Sequence, residues 1–377
     1  MMGWTFPFSI SASQWARPVV WCDRTTSEGT GRSMTQVTVI GVDLAKNVFQ
    51  LALVDAAGRV VAERRVRRAG LEAAVAACPG AVVGMEACGG AHHWARSFQA
   101  AGHPVRLMAP KRVKAYQDPG RKDDRRDARA IAEAATRPHV PGLRIKSPSE
   151  QDAQSRQRIH RKRVQLRTDK VNVLRGLLME SGIALPQGEA GLKRYAELAD
   201  TPAWQAISPD MRAEFDELHA EIGRDGAAIA ASKARLVRAA QDDARVQRLR
   251  TVPGIGPMIA AATVGAIGDG SDYADGRKFA TSLGLTPRLN SSGERVRLGR
   301  ISLIGDGQLR ALYVNGAQAL LMQAKRDRPT ADGLILWARR LLKRKRWNEV
   351  VIALANKLAR VAWAVLRSGD TYRPRAA

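Results

Sequence analysis

The sequence predicts a mixed α/β domain followed by two largely helical regions, an α/β plus α architecture, and three observations carry that expectation. Residues 35–148 alternate short β-branched apolar runs with segments of helical spacing. Residues 149–245 hold long, highly charged stretches with helical periodicity and no strand-like alternation. Residues 246–377 set apolar helices around turns rich in Gly and Pro.

The first 34 residues stand apart. Their apolar patch, Trp4 to Ile10, lacks the basic leader and continuous apolar core of a signal peptide, and they end in a Ser/Thr/Gly run. A disordered extension is expected here, with Met34 as an alternative start. "VTVIGVDLA" then reads as a buried strand, and "VFQLALVDAAGRVVAERRV" as two alternating strands joined by an Ala-Ala-Gly turn. A helix "LEAAVAAC", a strand "AVVGMEA", a helix "HHWARSFQAAG" and a strand "PVRLMAP" follow, then helical segments to about Thr136. Helices on both faces of one sheet, in this order, describe a ribonuclease-H-like domain.

Pro138 and Pro141 end that pattern. "QSRQRIHRKRVQLRTDKVNVLRGLLMESG" is apolar at Ile159, Val164, Val171, Leu174 and Leu178, the spacing of one long helix. "MRAEFDELHAEIG" and "AAIAASKARLVRAAQ" supply its antiparallel partner, a helical coiled coil. The last region opens with "LRTVPGIGPMIAAATVGAIGD", a helix-hairpin-helix-like pattern in which Gly254 and Gly256 would turn backbone N–H groups toward a phosphate. A plain αα turn accounts for the same stretch equally well. A Gly/Ser/Arg-rich loop over 286–307 and two closing helices complete the expectation.

Charge decides the class of partner. The chain has 61 Lys and Arg against 36 Asp and Glu, a net charge of +25 and an isoelectric point near 11. That excess favours phosphate backbones or an anionic membrane surface. No apolar run approaches the length of a spanning helix, and no basic segment carries a large Trp/Phe/Leu face, which argues against a membrane. Residues 246–377 contain 23 Lys and Arg against 9 Asp and Glu, so this region should grip nucleic acid most strongly. Three widely separated cysteines indicate neither a disulfide framework nor a zinc site and suit a reducing compartment.

Four carboxylates stand out against this cationic background. Asp43 interrupts an apolar strand, and Glu86 ends a second one before "CGG". Either one alone could be a strand-end carboxylate meeting an arginine. Together they can converge at the carboxyl edge of a sheet, where α/β folds place their sites. In "RKDDRRDARAIAEA", Asp124 and Asp127 are three residues apart and share a helix face. Four such oxygen donors suit one or two Mg²⁺ ions flanking a phosphoryl displacement. Arg121, Lys122, Arg125, Arg126 and Arg129 would contact phosphates beside them, while Asp123 suits a helix N-cap.

Six blocks, "GVDLAK", "GMEACGGAHHW", "KDDRRDARAIAEA", "LRTVPGIGP", "FATSLGLTPRLNSSGE" and "VIALANKLARVAWAVL", resemble in this order the DEDD-type transposases of bacterial insertion sequences. The likeness is to the one-ten family, more closely its eleven-eleven subgroup, and runs from about Val37 to Arg367. The resemblance implies a RuvC-like N-terminal domain whose DEDD carboxylates match Asp43, Glu86, Asp124 and Asp127, with Mg²⁺ or Mn²⁺ as cofactor. It implies a coiled coil and then a C-terminal transposase domain whose serine nucleophile matches Ser292, just before Gly293. From the residues alone, "NSSG" is only a turn sequence.

The same resemblance implies DNA and a structured non-coding guide RNA as partners, a dimeric or tetrameric assembly, and a nucleoid-associated place in the bacterial cytoplasm. Nucleic-acid contacts are then expected at Lys122, Arg125, Arg126, Gly254, Gly256, Arg288, Arg300, Lys343 and Arg344. One departure matters: relatives carry a basic pair in "GGISKRGD", whereas this chain reads "GRISLIGD", with Leu303 and Ile304 in those places. The competing expectations are a junction-resolving nuclease using metal-activated water, with Ser292 incidental, and a DNA- or RNA-binding protein without catalysis.

Overall fold

The structure, a computed structural model, describes residues 36–117, 123–292, 295–326, 330 and 332–374, with residues 291, 292, 295 and 296 described by their backbone alone. The expected N-terminal extension, Arg121, Lys122 and Gly293 lie outside the described residues. The chain divides into two compact units, Met1–Gly142 and Leu143–Ala377.

The first unit is a six-stranded sheet with helices on both faces. In chain order it contains β1 (Val37–Asp43), β2 (Val48–Asp55), β3 (Val60–Arg67), α1 (Leu71–Ala76), β4 (Val82–Glu86) and α2 (Ala91–Ala100). β5 (Val105–Met108), α3 (Pro110–Val113), α4 (Asp124–Thr136) and β6 (Gly142–Leu143) follow. The strand order is β3-β2-β1-β4-β5-β6. The first three strands are antiparallel neighbours, and β1, β4 and β5 run parallel. The β2–β3 hairpin forms as the sequence predicts. Asp55 Oδ1 accepts the N–H groups of Ala57 and Arg59, both at 2.9 Å, and closes the turn.

Strand alternation sorts the core into two layers. On one face Ile40, Val42, Phe49, Leu51 and Leu53 are buried, with Phe49 edge-on to Trp94 of α2 at 5.6 Å. On the other face Val39, Ala52 and Val54 pack with Ala128, Ile131, Ala132 and Ala135 of α4. Gly41 and Gly84 lie on this second face. A Cβ at Gly41 would stand 2.2 Å from the carbonyl oxygen of Ala128, and one at Gly84 would stand 2.6 Å from Ala135 Cβ. The absent side chains let the backbone of α4 rest directly on β1 and β4.

The second unit is mostly helical: α5 (Pro148–Glu180), α6 (Glu189–Arg194), α7 (Pro202–Gln205), α8 (Pro209–Ala239), α9 (Ala244–Arg250), α10 (Pro257–Ile267) and α11 (Gly276–Ser282). A hairpin of β7 (Pro287–Ser292) and β8 (Arg295–Ile301) precedes α12 (Gly307–Lys325), α13 (Gly333–Leu342) and α14 (Trp347–Ser368). The 33-residue α5 begins with a reciprocal cap between Ser147 and Glu150. It packs antiparallel to α8. Lys170 meets Glu221 and Asp225 at 2.9 and 2.8 Å, while Leu174 and Leu178 share a core with Phe215 and Ile222.

The base of α5 is rooted in the C-terminal helices. Gln308 of α12 donates to the Gln157 carbonyl at 3.2 Å, and Gly265 of α10 lies against Ala153. Two expectations need correcting in this unit. The expected loop over 286–307 is largely a strand pair, concealed because arginines and serines replace the usual apolar alternation. The expected two closing helices are three among the described residues, because α12 ends at Lys325 and Asp332 N-caps a new helix, α13.

Candidate active site

Register places the first two carboxylates. β1 and β4 pair in parallel through Val42 and Met85, so Asp43 and Glu86 come next, side by side at the carboxyl edge. Each stands two residues beyond Gly41 or Gly84 and therefore points to the face that α4 covers. Asp127 lies one residue before Ala128, the residue whose carbonyl touches Gly41, which brings the first turn of α4 to the same edge.

Electrostatics agrees with the geometry. Partial burial, and then the negative charge of Asp127, push the Glu86 carboxyl above its ordinary range. Cys88 stands beside the same group. Partial burial lifts its thiol, and the carboxylates of Glu86 and Asp43 lift it further. Asp43, Glu86 and Asp127 are half-buried, whereas Asp124 is exposed at the helix start. Asp123 is the N-cap of α4, its carboxylate accepting the Arg125 N–H at 3.1 Å, as its sequence position predicts.

Two side chains outside any motif hold this arrangement in place. Arg106 of β5 donates to the carbonyls of Ala135, Arg137 and Val140 at 2.6, 3.2 and 2.6 Å, anchoring the C-terminal end of α4. Gln117 Nε2 donates to Asp127 Oδ1 at 2.9 Å and fixes that carboxylate's orientation. Neither is legible in the sequence, because both act across separations that no local pattern encodes. Arg125 and Arg126 are exposed beside the acids. Arg129 pairs with Glu63 of β3 at 2.6 Å, its side chain remaining 55% exposed.

Ser292 belongs to the second unit. It is the last residue of β7, paired through its backbone with Arg295 of β8. Arg300 is exposed. Arg288 donates Nε and Nη2 to the Ser302 carbonyl at 3.3 and 3.1 Å, so its guanidinium braces the hairpin base before it meets any phosphate. Leu303 has φ 57°, and Leu303 and Ile304 are both 56% exposed. The loop is shaped by backbone contacts of Gly284 and Gly305, so the apolar pair alters its surface more than its path.

Two family models match this chain. One, described as Transposase, is of the DEDD type and covers residues 40–182. The other, described as Transposase IS116/IS110/IS902 family, covers residues 246–331. A probable family 20 transposase of Pseudomonas aeruginosa is 42% identical over 342 residues, spanning 89% of this chain and 98% of the relative. The chain belongs to the IS116/IS110/IS902 transposase family. The transposase for insertion sequence element IS1111A of Coxiella burnetii is 38% identical, with 91% of this chain and 93% of the relative covered. The transposase for IS1328 of Yersinia enterocolitica is 35% identical, with 90% and 99% covered. This protein is accordingly a DNA transposase, an enzyme of DNA cleavage and strand transfer.

A DEDD transposase domain suggests a divalent metal, and the donor set can be tested against that. Carboxylate oxygens are the ligands that hard cations prefer. Burial, and then the charge of Asp127, raise the cost of ionising Glu86, which a cation beside it would relieve. Among the described residues no three His, Cys, Asp or Glu side chains stand close enough together to share one ion. The arrangement therefore fits an ion bound by one or two carboxylates, with water and substrate phosphate completing its shell.

The transposase's glycine turn carries a structural load as well. Gly254 has φ 83°, and its carbonyl oxygen would lie 2.3 Å from a Cβ at Gly316 of α12. That turn is thus held by packing, and Gly254 serves helix contact whatever else it does. Gly256 caps α10 with nothing within 4 Å of a would-be Cβ. Lys343 and Arg344 are exposed between α13 and α14. Among the described residues no helix is long and apolar enough to cross a membrane.

Proposed function

We propose that this transposase cuts and rejoins DNA through a covalent Ser292–phosphate linkage, assisted by Mg²⁺ or Mn²⁺ ions each held by one or two of Asp43, Glu86, Asp124 and Asp127. The observation that carries the reading is the convergence of Asp43, Glu86 and Asp127 where β1, β4 and α4 meet. The first domain then acts as a RuvC-like, ribonuclease-H-like site, and α5 with α8 as its coiled coil. The bound ion would supply charge neutralisation at the scissile phosphate. Gln117 keeps Asp127 turned toward that position, and Arg106 keeps α4 from withdrawing it.

Ser292 Oγ forms a bond to phosphorus as the bond to a deoxyribose oxygen breaks, and the departing oxygen takes up a proton. The serine proton passes to the carboxylate cluster of another subunit in a dimer or tetramer. A deoxyribose hydroxyl from the second DNA then attacks the same phosphorus and releases Oγ. Guidance by a structured non-coding RNA suits the +25 charge, because pairing would read sequence while the protein grips backbone. The reading places the enzyme in the bacterial cytoplasm with the nucleoid.

Trapping tests it. Purified protein is incubated with its RNA, nicked donor DNA and Mg²⁺, then denatured and resolved for protein–DNA adducts. The adduct should form with the native chain and disappear with Ser292→Ala and with Asp43→Asn. Cleavage without adduct that survives Ser292→Ala establishes the water-using nuclease instead. No cleavage by the native chain, with nucleic acid still bound, establishes a binding protein.

A further inference from the structure

The C-terminal helices enclose a groove that none of these roles uses. Its volume is about 1250 Å³, above the roughly 300–1,000 Å³ of small-molecule sites. It runs between the start of α11, α13, α14 and the tail that follows, and Arg277, Arg340, Lys357 and Arg360 line it together with Trp337 and Trp363. The tail closes one side: Tyr372 N–H donates to Thr251 Oγ1 at 2.9 Å and its hydroxyl to Asp332 at 3.3 Å.

The cations here outnumber the acids: Arg277, Arg340, Lys357, Arg360 and Arg373 stand with two carboxylates, of which Asp275 interacts with Arg277. Of the two carboxylates lining the groove, Asp275 is committed to the N-terminus of α11, accepting the Lys278 N–H at 2.8 Å, and Asp370 lies in the exposed tail. Burial first, and then the charges of Arg360 and Arg340, hold the Lys357 ammonium below its ordinary range. Such crowding raises the energy of the empty site and is relieved by an anion.

The aromatic side chains are fixed. Trp363 donates its indole N–H to the Gly270 carbonyl at 3.0 Å, which locks the ring's orientation in the groove wall. Trp337 carries the Lys357 ammonium 4.2 Å from its ring centre. A nucleobase stacked on such a ring is held at least as well as an ammonium set over it. A base can therefore replace the ammonium on the ring while the ammonium moves to a neighbouring phosphate.

We infer that this groove binds a single strand of nucleic acid, with phosphates on Arg277, Arg340, Lys357 and Arg360 and an unpaired base on Trp337. A paired duplex offers no free base face to a ring set inside a groove, so an unpaired strand is the ligand that uses both features. The inference rests on the transposase reading only in that nucleic acid is the partner. It requires neither the Ser292 linkage nor the metal.

The test measures affinity of the full-length chain for a labelled 20-nucleotide RNA, DNA of the same sequence, and the corresponding DNA duplex, across a salt series. Arg340→Ala with Arg360→Ala, both exposed, should weaken single-strand binding tenfold or more. The double change should also reduce the salt slope by about 1.4, because each of the two phosphates left without its arginine accounts for about 0.7. Duplex affinity should change less than twofold. A larger loss for RNA identifies an RNA occupant and a larger loss for DNA a displaced DNA strand.

Oligonucleotides carrying 5-iodouracil should photocrosslink to Trp337 or Trp363 in the unsubstituted protein, a readout that needs no variant to fold. An equal loss for duplex, no loss for either strand, or crosslinks confined to other regions overturns the inference. Normal single-strand binding by the double variant, alongside adduct formation that still needs Ser292, sinks the groove alone. Failure of the native chain to bind any nucleic acid sinks the transposase reading with it.

Discussion

Replacing Gly41 by alanine tests the contact that aims α4 at the strand ends. The new Cβ would lie 2.2 Å from Ala128 O, 2.6 Å from Ala132 N and 2.7 Å from Ala132 Cβ, all on or next to the helix backbone. Restoring even a 3.0 Å separation moves the helix outward by about 0.8 Å. No side-chain rotation can absorb that shift. Overpacking of this kind costs about 1–3 kcal/mol, and a displacement near 1 Å at catalytic groups costs about 100-fold in rate.

Urea melts should show that loss of stability, and a strand-cleavage assay should show the second effect even at temperatures where the variant stays folded. Gly84→Ala, with Ala135 Cβ at 2.6 Å, should act in the same direction. Gly89→Ala lies near the same edge with nothing within 4 Å of its Cβ and should be neutral or slightly stabilising. If Gly41→Ala melts within about 0.5 kcal/mol of the native chain and cleaves at its rate, α4 does not position the acids.

Other outcomes follow from the same structure. Arg106→Met removes three bonds to carbonyls at and just beyond the C-terminus of α4 and should lower stability by about 2–3 kcal/mol in denaturant melts. Glu86 holds its proton more tightly folded than unfolded, so its contribution is full below its ordinary value of 4.5 and is lost as pH rises through the raised one. Glu86→Gln should therefore melt higher than the native chain at neutral pH, with the gain vanishing toward pH 4 in a pH series of thermal melts. Mg²⁺ at 10 mM should stabilise the native chain by about 1.4 kcal/mol for millimolar affinity, and Glu86→Gln by clearly less, in the same melts. Gly254→Ala meets both a left-handed backbone and the Gly316 carbonyl at 3.0 Å, and should cost about 1–3 kcal/mol with no change in the salt slope of DNA binding.

Much of the first domain is legible from local pattern. Asp43 and Glu86 can be placed at strand ends because a carboxylate inside an apolar run is costly, and the end of the strand is where a cation or water can reach it. Asp124 and Asp127 can be set on one helix face because helical spacing is a local property. The β7–β8 hairpin escapes the sequence for the complementary reason. Its paired Leu289 and Leu298 are 69% and 68% exposed, so no buried alternation marks its strands.

The sequence by itself determined the residue types, their spacing along each element, the cationic excess and the membership of a transposase family. It determined these because helix and strand periodicities, composition and ordered motifs are written along the chain. Only the tertiary structure decided that Gln117 orients Asp127, that Arg129 pairs with Glu63, and that Gly41 and Gly84 seat α4 against the sheet. It alone gathered Trp337, Arg340, Lys357 and Arg360 with Arg277 in one groove. Each of these depends on which backbones pack together and at what distance, and a distance between residues far apart in sequence exists only once the chain has folded.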